Sequence, residues 1–239
     1  MVAAALLGMA VSTAPQAKAA NLYWDSDATA AGNSTTLGTN LGGSGIWNTS
    51  TANWYDGSAE LAWNNANLDT AVLWGAADYF PSSPSVTTLT LGTGITVGGL
   101  TFNSPNYFIT SGTLTLGGTT PTITARYGDS ATIASIVAGT VGFTKSGGGV
   151  LLLTNSLNTF TGTTTVADGT LLVTSNGALG ALANSVTVAG NANTVGTAGG
   201  TLVLAPGAQS SLTTARSLSL TGRGYSVRSG SIVGIGDAI

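Results

Sequence analysis

The sequence predicts an all-β fold, a parallel β-helix whose short strands stack as the coils of a solenoid. Three observations predict it. Apolar residues recur in pairs at i and i+2. Turn-forming residues follow each pair. The pairs return in similar phrases along the chain.

The pairs are Leu89/Leu91, Leu100/Phe102, Leu114/Leu116, Leu151/Leu153, Leu171/Val173, Val186/Val188, Leu202/Leu204 and Leu218/Leu220. This is the strand period, with one face buried. Gly, Asn, Ser or Asp follows within a few residues, and these are the residues that turn a chain. Later pairs begin at Leu151, Leu171, Val186, Leu202 and Leu218, each about 15–20 residues after the last, near the scale of known structural repeats. Self-similarity on this scale marks a repeat architecture in which one unit cannot bury its own face and neighbours must stack. Aliphatic side chains then stack inside. Thr, β-branched and able to hydrogen-bond, lines the outside. At about 20–25 residues per coil, Ser85–Ile239 makes about six or seven coils. A β-sandwich or an up-and-down barrel also yields short alternating strands, but does not require them to recur in one phrase. The stretch "SNGALGALANS" has room for one short helical turn.

The chain has two textures. All five Trp (Trp24, Trp47, Trp54, Trp63 and Trp74) lie between Asn21 and Pro84, with six of the nine acidic residues. From Ser85 onward there is no Trp, and Gly separates short aliphatic strands. The Trp set is either a carbohydrate-stacking surface or a hydrophobic cap that closes the first coil, and the cap is the favoured reading. An open solenoid end is a strand edge that would pair with other chains, and Trp buries a large area.

Residues Val2 to Val11 form an apolar run, and Ala17-Lys18-Ala19 has the small-x-small pattern of a leader cleavage site. The run is short of the ~20 residues that span a bilayer. Residues 1–19 are therefore expected to be a signal peptide, 20–84 a Trp/Asn-rich cap region, and 85–239 the repeat region. No later segment reads as a transmembrane helix.

Only 6% of residues are charged, against about 25% in ordinary soluble domains. The six basic residues are Lys18, Arg126, Lys145, Arg216, Arg223 and Arg228. They make no phosphate-neutralising patch, which argues against nucleic-acid binding. The three C-terminal Arg read as scattered, solvent-facing charges. The chain has no Cys and no His. That removes disulfides, Ser-His-Asp and Cys-His catalysis, and ordinary zinc sites.

The stretch "GFTKSGGGVLLLTNSLNTFTGTTTVADGTLLVTSNGALG" (142–180) resembles the autotransporter-associated β-strand repeat, also called the passenger-associated transport repeat. Its "LTK-x-G-x-G-x-L-x-L" and "N-x-[YF]-T-G-x-T-x-V-x-x-G-T-L" phrases match Phe143-Thr144-Lys145, Gly147, Gly149, Leu151, Leu153, Asn158, Phe160, Thr161, Gly162, Thr164, Val166, Gly169, Thr170 and Leu171, and Val173 continues the strand. Residues 98–118 and 199–206 look like weaker relatives. "GIWNTSTANW", "LDTAVLWG" and "ITVGGLTF" are similar to segments that precede these repeats in large bacterial exported proteins. The resemblance implies a right-handed parallel β-helix, exported to the cell surface or beyond; it does not imply an enzyme. It gives the motif residues a structural role. No translocator barrel or aromatic terminal strand follows, and "SIVGIGDAI" carries no cap. The natural product is thus expected to continue past Ile239, and this chain to self-associate through an open last coil.

β-Helices also host polysaccharide lyases and glycosidases, which use clustered carboxylates. In the repeat region only Asp129, Asp168 and Asp237 are acidic. Asp168 reads as a turn residue, and Arg126 and Asp129 as a local ion pair. Asp25 and Asp27 sit two apart, able to face one side, but they lack the Gly-and-Glu frame of a calcium loop. Asn33-Ser34-Thr35 and Asn48-Thr49-Ser50 match the glycosylation sequon, a pattern common by chance. Neither a cofactor, a metal nor a catalytic residue is expected. The sequence therefore points to a structural or adhesive module meeting glycans, cells or matrix through a Thr- and Asn-rich wall. The alternative is a polysaccharide-active enzyme.

Overall fold

The structure is a computed structural model that describes residues 19–75, 86–189, 199–204 and 216–221. Most of the expected leader, Arg223, Arg228, Asp237, the C-terminal tail and the boundary near Pro84 lie outside the described residues.

The first turn of chain carries β1 (Asn21–Trp24) and β2 (Gly45–Trp47), followed by a hairpin of β3 (Ala52–Tyr55) and β4 (Glu60–Ala62). Three coils of three strands come next. They are β5 (Thr70–Leu73), β6 (Thr87–Leu91) and β7 (Ile95–Val97); β8 (Gly99–Phe102), β9 (Tyr107–Thr110) and β10 (Thr113–Leu116); and β11 (Thr122–Ala125), β12 (Ser130–Ile133) and β13 (Ile136–Gly139). Coils of two strands follow: β14 (Phe143–Ser146) with β15 (Val150–Leu153), β16 (Thr164–Val166) with β17 (Gly169–Val173), and β18 (Val186–Ala189) with β19 (Gly200–Leu204). β20 (Leu218–Thr221) is the last described strand.

These strands stack as a parallel solenoid. Its first face runs β1, β5, β8, β11, β14, β16, β18, β20, and its second runs β2, β6, β9, β12, β15, β17, β19. A third face holds β7, β10 and β13. Every strand on these faces pairs in parallel with its counterpart one coil away. The antiparallel exception is the hairpin, in which β3 lies on the free side of β1 and β4 on β3.

Register follows from the alternation of side chains. Leu89, Ile109, Ile133, Leu153 and Val173 are partners in successive coils, and each is fully buried. Ala131, Leu151, Leu171 and Leu202 form a second inward row. Slipping any strand by one residue would turn its row to solvent. Each fully buried Leu, Ile or Val side chain in these rows contributes about 1.5–3 kcal/mol.

The structure corrects the repeat spacing. Leu151, Leu171 and Leu202 lie on the second face, whereas Val186 and Leu218 lie on the first. The shorter steps, from Leu171 to Val186 and onward, are therefore crossings between faces. The true advance is read from the pairings Phe143↔Thr164 and Thr164↔Val186. It is about 22 residues per coil, within the range of solenoid repeats. Alternation reports which side chains point inward, but two faces of one coil look alike to it.

Corners are tight. Gly147 and Gly169 turn between the first and second faces with φ of 71° and 65°. A Cβ on Gly169 would strike the Gly147 and Gly149 carbonyls of the coil before. Two constraints, left-handed backbone and interlocking corners, thus require Gly at this position. Within the "SNGALG" phrase the chain makes one 3-10 turn, Asn176–Leu179, capped by the Ser175 hydroxyl. Among the described residues no helix is long and apolar enough to cross a membrane.

Candidate functional site

The candidate site is the outer wall of the coils, together with the polar groups that hold the coils in place. On the first face Thr122, Thr144, Thr165 and Thr187 stand in register on successive coils, half-buried and pointing outward. Alongside, the hydroxyls of Thr124 and Ser146 meet at 2.8 Å, and those of Thr163 and Ser185 at 2.7 Å. Such pairs link adjacent coils and leave an ordered row of hydroxyls and methyls facing solvent.

The second face is mixed. One outward row is Thr88, Phe108, Thr132, Leu152, Leu172 and Val203, in register, and beside it run Ser130, Val150, Thr170 and Thr201. Four of the first six are apolar, and three of the second four carry hydroxyls. The parity was present in "VLLLT": Leu151 and Leu153 point in, so Leu152 points out.

Where the third face loses its strands, Asn side chains replace the missing ladder. Asn158 accepts from the Val137 amide at 2.8 Å and donates to the Ala178 carbonyl at 2.8 Å, so it bridges one coil below and one above. Asn184 accepts from the Gly162 amide and donates to the Phe160 and Leu179 carbonyls. Asn158 does not adopt a left-handed conformation. It serves through its amide, whose donor and acceptor mimic a peptide unit. Phe160 is fully buried and meets Phe143 edge-on at 5.5 Å.

Lys145 is the least expected feature. Its position on β14 points inward, in line with Ile123 and Val166, and it is fully buried. Its ammonium donates to the carbonyls of Ser146 at 2.8 Å, Gly147 at 2.6 Å and Asp168 at 3.0 Å. Burial pushes its pKa down to about 8, opposed by the charge of Asp168. It is still an ammonium at neutral pH, with three donors for three acceptors. Phe143 and Lys145 share strand parity, and that was the available signal.

Arg216 corrects the picture of a solvent-facing charge. It is 7% exposed and donates to the carbonyls of Asn176, Leu179, Gly180 and Asn184 and to the Asn176 side chain. It satisfies carbonyls at the end of the 3-10 turn, which a helical turn leaves unpaired. Nothing in the local sequence reveals this, because the partners lie 32 to 40 residues away.

At the N-terminal end Trp24, Trp47, Trp54 and Trp63 pack ring to ring with centroids 4.6–5.3 Å apart. All four are at most 1% exposed, so they offer no face to a sugar. Nearby, Asn33 donates to both Asp25 and Glu60, at 2.7 and 3.1 Å. Burial, then the charge of Asp25, pushes Glu60 up to about 7. Asp25 does not pair with Asp27 as a metal clamp, because its oxygens accept from the Asp27 amide and from Asn33. Among the described residues no group of three or more His, Cys, Asp or Glu side chains is placed to hold a metal. Arg126 and Asp129 form an ion pair at 3.3 Å, and Asp168 accepts from the Gly169 amide in its own turn.

The family model of the passenger-associated transport repeat matches residues 143–173. Residues 143–173 are such a repeat. The transport repeat thus spans β14 to β17, from the inward Phe143 and Lys145 to the inward Leu171 and Val173. The chain is also similar to the adhesin BmaC autotransporter of Brucella suis biovar 1 (strain 1330), 44% identical over 203 residues. The match covers 82% of this chain, which spans 5% of that relative's length. No solved structure matches the chain.

Proposed function

We propose that this chain is an exported structural and adhesive passenger module, a right-handed parallel β-helix displayed at the outer cell surface and without enzymatic activity. The observation that carries this reading is the register of the outer rows. Hydroxyl side chains on the first face, and hydroxyl and apolar side chains on the second, recur from coil to coil, which gives many similar contacts. The transport repeat and the similarity to an autotransporter adhesin support the same reading. The carboxylates that an enzyme would need are engaged elsewhere, Asp129 with Arg126 and Asp168 in a turn. In this reading residues 1–19 are a leader, and the Trp cluster with the β3–β4 hairpin is the N-terminal cap. The repeat-motif residues from Gly149 to Val173 act structurally, and the contacts are with glycans, other cells or matrix.

The test is binding of the purified chain to glycan arrays and to cultured cells. Thr144→Glu with Thr165→Glu introduces adjacent like charges into the outer row while leaving the core intact. Binding that falls at least tenfold in this variant supports adhesion through the row. Uniform absence of binding by the parent chain removes adhesion and leaves a spacer. Turnover of pectin or alginate abolished by Asp129→Ala or Asp168→Ala would overturn the reading in favour of an enzyme.

A further inference from the structure

We infer that Asp69 is the binding site for a newly made N-terminus: removal of the leader after Ala19 creates an α-ammonium on Ala20 that pairs with this carboxylate. The inference rests on the reading of the chain as exported. Its support is in the geometry around Asp69. The residue is 3% exposed. Oδ1 accepts a hydrogen bond from the Ala20 nitrogen at 2.8 Å. Among the described residues no Lys or Arg pairs with it, since Lys145, Arg126 and Arg216 are engaged elsewhere. A buried carboxylate held by one neutral N–H is a costly arrangement.

Parallel register explains why Ala20 is the residue that meets it. Asn21 is the partner of Thr70, so Ala20 stands beside Asp69. The Thr70 amide also donates to the Ala20 carbonyl at 2.8 Å. Ala20 is therefore held by its carbonyl whatever precedes it. Hydrolysis of the Ala19–Ala20 peptide adds one water, gives Ala19 a carboxylate and turns the Ala20 nitrogen into an ammonium. The atom that was a neutral donor becomes a cation already within bonding distance of a buried anion. Charge-assisted bonds of this type are about twice as strong as neutral ones. Access is open, because Ala19 and Ala20 are exposed. Ala19 lines a groove with Asn67, Leu68, Gly98 and Pro121, and every residue lining it is uncharged. Asp69 is thus the carboxylate that the new ammonium meets. The small-x-small sequence Ala17-Lys18-Ala19 places the cut where this geometry uses it. Maturation would then lock β1 onto β5, the first pairing of the solenoid.

The experiment compares two chains running to Ile239, one beginning at Ala20 and one in which Ala17-Lys18-Ala19 still precedes Ala20, each with Asp69 or Asp69→Asn. At pH 6 the Ala20 chain is expected to melt about 5 °C higher than the extended one. Asp69→Asn should remove that difference. The pairing raises the ammonium's pKa above its ordinary value near 8. The advantage is therefore full below that value and lost as pH rises through the raised one. Equal Tm for the two chains with Asp69, or an equal effect of Asp69→Asn in both, overturns the proposal. N-terminal sequencing of the exported chain separates the two readings. A start at Ala20 supports the proposal, a start elsewhere after export overturns it alone, and retention of Met1 on an unexported chain overturns both.

Discussion

The ammonium of Lys145 lies 3.0 Å from the backbone carbonyl of Asp168, one coil further along the solenoid. The same ammonium bonds the Ser146 and Gly147 carbonyls of its own corner. One side chain thus joins two successive corners from inside, where the transport repeat turns from the first face to the second.

Lys145→Met keeps the length and fills the space between Ile123 and Val166, but leaves the corner carbonyls without their donor. It is expected to cost about 3 kcal/mol, as buried acceptors lose their partner. Chemical denaturation at pH 7 measures it. A neutral result would show that water reaches these carbonyls. Because burial lowers the folded-state pKa to about 8, the sign of the pH effect is fixed. The folded chain binds this proton less tightly than the unfolded one, so parent stability rises relative to Lys145→Met between about pH 8 and 10.5.

Leu171→Asp puts a carboxylate between Leu151 and Leu202 in a fully buried row. The expected loss is several kcal/mol, read as failure to fold or to be exported. Thr170→Ser, one residue away and outward, should stay within about 0.5 kcal/mol. Equal effects at both positions would contradict the register.

Asn158→Ala removes the acceptor for Val137 N–H and the donor for Ala178 C=O. A loss of about 2–3 kcal/mol is expected. Asn158→Asp keeps the acceptor but cannot donate to Ala178, so it should be at least as damaging. Hydrogen exchange at the Val137 amide should accelerate in Asn158→Ala, and unchanged exchange would dismiss the bridge.

Glu60 is raised to about 7 by burial and then by Asp25, with Asp27 adding to the effect. Its protonated form is therefore favoured on folding. Its contribution is full below about pH 4.5 and is lost as pH rises through 7. Glu60→Gln should leave Tm unchanged at pH 4 and raise it at pH 8. A parent chain whose Tm relative to Glu60→Gln does not change between these pH values would rule out a carboxyl raised by burial at Glu60.

Much of the strand content was legible, because alternation is a local property. Leu151 and Leu153, or Leu171 and Val173, declare their inward direction within a single strand. The same parity put Lys145 inside with Phe143, but a cation on an apolar face reads as solvent-facing until three carbonyls are seen to meet it. Arg216 was illegible for a stronger reason. Its partners come from a turn that folds against it from far back along the chain.

The sequence by itself determined the all-β character, the inward rows, the Gly corners and the transport repeat, since each depends on neighbours close together in the chain. The tertiary structure decided what depends on stacking. It set the advance of each coil through the pairings of Phe143 with Thr164 and Thr164 with Val186. It distributed similar pairs between two faces, and among the described residues it ended the third face after β13, with Asn158 and Asn184 in place of strands. It also brought Asp69 to Ala20 across 49 residues. These features arise from contacts between coils, and a hydrogen bond between coils leaves no period in the sequence that forms it.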